Sequence, residues 1–124
     1  MNPPTILWIG KLMDSVSLAE SLENAGYDVV RESDYQQGVQ TLRNSRIDLI
    51  VLEHDVSCVQ GELVAVRLRS AAPRVPVLLL CRPEDPVNQQ VLFVNKILSL
   101  SDPEDILLSA VAELLPRRIE QTGT

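Results

Sequence analysis

At 124 residues the chain has the size of a single domain, and 45 % hydrophobic residues suffice for one packed core and exclude a disordered chain. A net charge of −6 argues against binding phosphate backbones or anionic lipid surfaces, and 3 % aromatic residues leave no stacking platform for bases. The N-terminal apolar run TILWI is too short for a signal peptide or a membrane span. Two cysteines, Cys58 and Cys81, make no disulfide framework, so a cytoplasmic protein with reduced thiols is expected.

Along the chain, short apolar runs alternate with helical patterns. Thr5 to Ile9 is rich in strand formers and stops at Gly10. In DSVSLAESLENAG, Asp14 or Ser15 can cap a helix with Val16, Ala19, Leu22 and Ala25 inward, and Gly26 ends it. YDVVRES predicts a second strand. SDYQQGVQTLRNS predicts a second helix with Val39 and Leu42 inward and Asn44-Ser45 as the exit, although Gly38 weakens the pattern. Ile47 to Leu52 is nearly all apolar, as in a strand covered on both faces. A loop to Gly61 leads into the helical GELVAVRLRSAA, with Leu63, Val66 and Leu68 inward. PRVPVLLLC reads as a fourth, doubly buried strand, RPEDPVNQQVLFVN as a loop and short helix, and Lys96 to Ser101 as the fifth strand. In the last helix Ser101 or Asp102 is the cap, Pro103 lies in the first turn, and Glu104 and Asp105 meet the positive end of the dipole. Its inward stripe is Ile106, Leu107, Ala110, Val111 and Leu114, with Arg117 and Arg118 at the negative end.

This alternation predicts a three-layer α/β domain over residues 1–118, with a parallel five-stranded sheet in the order 2-1-3-4-5 and right-handed crossovers, followed by a frayed tail at 119–124. A site in such a sheet lies beyond the carboxyl ends of the strands. Those ends are Gly10-Lys11, Glu53, Cys81 and Leu100.

IDLIVLEHDVSCVQGELVAVRLR, with Gly61 eight residues after Glu53, resembles strand three, loop and helix three of bacterial response regulator receiver domains, the CheY-like (flavodoxin-like) fold. AGYDVV, VPVLLLC and SDPEDILLSAVAELL resemble that family's second strand, fourth strand and fifth helix, so the resemblance covers roughly Thr5 to Leu115. The resemblance implies a reaction centre of an acidic pair that holds Mg²⁺, an Asp that takes the phosphoryl group, a Thr or Ser, and a Lys. Gly10 and Lys11 stand at the acidic pair, Glu53 at the phosphoacceptor, Cys81 at the hydroxyl and Leu100 at the lysine; a second register places Lys96 there instead. The family's aromatic switch position falls on Ile97, or on Phe93 in the second register. With Glu53, a backbone carbonyl near Asp55 and water as the remaining oxygen donors, Mg²⁺ binding is expected to be lost or weak and ordinary phosphorylation absent.

Three readings of Glu53 compete. It can be a solvated strand end, or a stand-in for the phosphorylated state, which lacks the partners of a true phosphoryl group. In the preferred reading the Lys11 ammonium fills the metal's place and forms a salt bridge with Glu53. His54, Asp55, Cys58 and Cys81 offer ligand or thiol chemistry for a metal or redox sensor, but their spacing matches no ligand motif. One histidine and no nucleophile elbow leave little for hydrolysis, and Gly10-Lys11 lacks the glycine spacing of a phosphate loop. The expected function is non-enzymatic. It is a receiver-like module that binds a protein partner (a signalling protein, kinase or output domain) or itself, independently of phosphorylation, with neither nucleic acid nor membrane. Val91, Leu92, Phe93 and Ile97 are the candidate interface. An active phosphorelay receiver and a redox or metal sensor are the alternatives.

Overall fold

The computed structural model describes residues 3–10, 16–53, 67–81 and 94–115. Five strands, β1 (Thr5–Ile9), β2 (Asp28–Glu32), β3 (Leu49–Glu53), β4 (Val77–Cys81) and β5 (Lys96–Ser99), form one parallel sheet in the order β2-β1-β3-β4-β5. The described helices are α1 (Val16–Asn24), α2 (Tyr35–Asn44), α3 (helical at 67–71) and α4 (Glu104–Leu114). The short helix expected between β4 and β5 lies outside the described residues.

Strand alternation divides the core into two layers. Ile6, Trp8, Val51, Leu78 and Leu80 face α1 and α4, where they meet Ala19, Leu22, Leu107 and Val111. Leu7, Ile9, Ile50, Leu52 and Leu79 face α2 and α3, where they meet Leu42 and Leu68. β3 and β4 are buried along their whole length, as the apolar runs LIVL and VLLLC require, and the burial of β3 extends to Glu53. β5 is an edge strand, and Ile97 is 36 % exposed there.

Two helix stripes sit differently from expectation. Val16 and Ile106 were expected inward but are 43 % and 44 % exposed. The buried stripe of α1 runs through Leu18, Ala19 and Leu22, and at 3.6 residues per turn Val16 lies roughly 110° from its centre. Ile106 stands about a quarter turn off the Leu107, Ala110, Val111 stripe of α4 for the same reason. Ala25, also expected inward, falls after the last helical residue and is exposed. Gly26 ends that helix at φ 102°, a left-handed conformation that suits glycine.

Caps differ between the two described N-termini. In α2, Asp34 accepts from the Gln37 amide at 2.9 Å. Asp34→Ala is expected to lower stability by about 1 kcal/mol in urea denaturation, the usual effect of losing such a cap. In α4, Pro103 occupies the cap position without a side-chain bond. Asp102 turns back to accept from the Ser99 amide at 3.0 Å, so it closes the turn after β5 and does not cap the helix. Glu104 accepts from the Ser21 hydroxyl at 2.7 Å and ties α4 to α1.

Candidate functional site

β1 and β3 run side by side with Trp8 opposite Val51 and Ile9 opposite Leu52. Gly10 and Glu53 therefore meet at the carboxyl edge of the sheet, where β2-β1 and β3-β4 diverge. Glu53 does not follow the strand. It is the strand's last residue, paired with Leu80 of β4. Alternation sends its side chain to the α1/α4 layer, the layer of Trp8 and Val51.

There Glu53 is 4 % exposed, and among the described residues it is the buried charged side chain. It is not a solvated strand end. The fully buried Trp8 indole donates its Nε1–H to Glu53 Oε2 at 2.6 Å. A buried indole N–H needs an acceptor, and a carboxylate is a strong one. The carboxylate thus bends back over β1 instead of projecting beyond the sheet.

Gly10 makes that path possible. A Cβ on Gly10 would overlap Glu53 Cδ and Oε2 and lie 2.6 Å from Glu53 Cγ. The volume of a side chain at position 10 is already taken by the carboxylate of position 53. The Gly10 amide donates to Glu32 O at 2.9 Å, which fixes the end of β1 against β2.

Other expected site residues do not converge on this carboxylate. Cys81 is buried, but it packs in the α2/α3 layer, across the sheet from Glu53. Leu100 follows β5, donates its amide to Cys81 O at 2.7 Å and packs against the α1/α4 core. Lys96 opens β5 opposite Leu78, and its ammonium stands 3.3 Å from a Glu113 carboxylate oxygen. Lys11, Asp55, His54, Cys58, Val91, Leu92 and Phe93 lie outside the described residues, so the Lys11–Glu53 bridge, the thiol and metal cluster and most of the expected interface lie there too.

The described residues do not fit Mg²⁺. The ion needs near-octahedral oxygen ligands at close range. Gly10 offers no side chain, the carboxylate of Glu53 is turned to an indole, and no group of three His, Cys, Asp or Glu converges among the described residues. No described helix is long and apolar enough to cross a membrane.

Trp8 is the member that sequence reasoning missed. Its signal was present: a lone tryptophan in an aliphatic strand, with an N–H that burial would oblige to find a partner. Identifying that partner takes the β1–β3 register.

The fold matches solved receiver domains. A response regulator from Chloroflexus aurantiacus is 21 % identical, with 94 % of this chain and 100 % of that chain covered and a TM-score of 0.82. The N-terminal domain of a response regulator/sensory box/GGDEF three-domain protein from Carboxydothermus hydrogenoformans is 20 % identical, covering 96 % and 98 %, with a TM-score of 0.77. A response regulator from Thermotoga maritima in complex with Mg²⁺ and BeF is 18 % identical, covering 91 % and 99 %, with a TM-score of 0.78. No protein-family model matches the chain, and no curated protein does. The structural neighbours are thus CheY-like receiver domains, and the chain has their fold.

Proposed function

We propose that this domain is a degenerate receiver that serves signal transduction by binding proteins, without being phosphorylated and without catalysis of its own. The observation that carries this reading is the Trp8–Glu53 bond laid across Gly10. A phosphoacceptor must present its carboxylate to the donor and share a metal with it, because phosphoryl transfer depends on positioning and charge neutralisation. Here the carboxylate is held inward and the neighbouring strand end carries no carboxylate. The same inward path speaks against Glu53 as a mimic of a phosphoryl group, which would have to reach a switch element. A signalling protein, a kinase, an output domain or a second copy are the kinds of partner this reading admits, in the cytoplasm.

The test is intact mass after incubation with Mg²⁺ and acetyl phosphate. The expected spectrum shows the unmodified chain. A phosphorylated species, at Glu53 or at any other residue, would sink the reading and return the domain to active phosphorelay.

A further inference from the structure

On the sheet face away from Glu53, α2 and α3 flank a cleft of about 390 Å³. Val39 and Ala71, half-buried against the core, form its floor. Tyr35 and Gln40 line it from α2, and the exposed Arg43 and Arg67 line it from the two helices. Among the described residues no Asp or Glu lines it, in a chain that carries 17 acidic residues against 11 Lys and Arg.

The arginines stand out by what they lack. Arg31 is paired with Glu23, Arg46 with Asp48 and Lys96 with Glu113, and Arg69 is bonded to Asn95. Among the described residues, Arg43, Arg67 and Arg74 make no such bond, and two of these three share this cleft. Arg43 lies in the last turn of α2, where the helix dipole favours a cation. The dipole of α2 does not account for Arg67 on the neighbouring helix.

We propose that the α2/α3 cleft is the docking site for an acidic segment of a partner protein. Two guanidiniums can fork onto carboxylates, and Tyr and Arg around an apolar floor are the composition that protein interfaces favour. Gln36, Gln40, Arg43, Arg67 and Ser70 of its lining are exposed, whereas a small-molecule site encloses about 70–90 % of its ligand. A chain lying across the surface suits that shape. The surplus of acid elsewhere on the domain repels such a segment and leaves this cleft as its point of attachment. The inference rests on the reading of the domain as a protein-binding module, and it names the partner's chemistry.

The test titrates the whole chain with hexaglutamate peptide and follows backbone amide NMR shifts, with no phosphodonor present. Its outcome is therefore separate from that of the mass measurement. Shifts are expected at residues 35–43 and 67–71, with hexalysine inert. An Arg43→Glu/Arg67→Glu variant should bind the peptide about tenfold more weakly, since charge reversal at an interface adds repulsion to lost attraction. Arg43→Gln/Arg67→Gln should fall between the two. Both variants alter exposed side chains, and matching amide spectra in the absence of peptide will verify their fold. Absence of binding, shifts centred elsewhere, or equal affinity in the charge-reversed variant overturns the proposal. So does pyrophosphate moving the same amides when hexaglutamate does not, because that result assigns the cleft to a small anion.

Discussion

Gly10→Ala is expected to destabilise the domain by about 3 kcal/mol, a large loss for one methyl group at a strand end. The new Cβ falls on Glu53 Cδ and Oε2, so the carboxylate must leave its place over β1. Forcing extra atoms into a packed site costs about 1–3 kcal/mol. Leaving the buried Trp8 N–H without its acceptor costs about 1–3 kcal/mol. Replacing glycine in the unfolded chain returns about 0.4–1 kcal/mol. Glu53→Ala provides the control, since it removes the atoms that clash. In that background Gly10→Ala should be neutral or slightly stabilising, giving a coupling of about 3 kcal/mol between the positions, at the upper end of the range for residues in contact. Urea denaturation of the four proteins measures it. An equal effect of Gly10→Ala in both backgrounds would show that the side chains do not share this space.

That coupling changes how the departures from the receiver pattern are understood. The resemblance to receiver domains puts Gly10 at an acidic position and Glu53 at the acceptor position, two separate losses when taken along the sequence. In the folded chain the two positions share one space: the side chain of Glu53 occupies what a side chain at position 10 would need. From the sequence, the Lys11 ammonium is the expected counterpart of the carboxylate. Lys11 lies outside the described residues, and among the described ones the Trp8 indole donates to the carboxylate.

The architecture was legible because β3 and β4 announce themselves. LIVL and VLLLC are apolar without a break, and a sheet covered on both faces buries every side chain of such runs. The helices α1, α2 and α4 were equally plain, down to Gly26 at the end of α1. Orientation was less so. Val16 and Ile106 fit an apolar stripe by spacing alone, but the stripe that packs is set by the neighbouring layer, and it passes them by. Asp102 precedes the proline of a helix start and looks like a cap, yet a nearer amide, that of Ser99, takes its carboxylate. At the site, parity places Glu53 and Trp8 on one face only once the strands are in register, and no local pattern encodes that register.

The second large effect concerns the Trp8–Glu53 bond itself. Trp8→Phe removes the donor and leaves a smaller ring in a site with no exposure, so a loss of about 2–4 kcal/mol is expected. Glu53→Met keeps the length of the side chain, with a flexible thioether in place of the carboxylate, and leaves the indole N–H without its acceptor, for a loss of about 1–3 kcal/mol. The double variant Trp8→Phe/Glu53→Met removes both polar groups at once. Replacing both partners of a buried polar pair by apolar groups is often nearly neutral, whereas removing one is costly. The double variant should therefore be about as stable as Glu53→Met alone. Trp8 is the chain's single tryptophan, so unfolding must be followed by circular dichroism rather than indole fluorescence. If the two single losses simply add, Glu53 is held in its buried position mainly by another group, and the bond to Trp8 is incidental to the closed site. If they do not, the carboxylate at the acceptor position serves as an internal fastener between β1 and β3, and its charge is dispensable to the fold once its partner is gone.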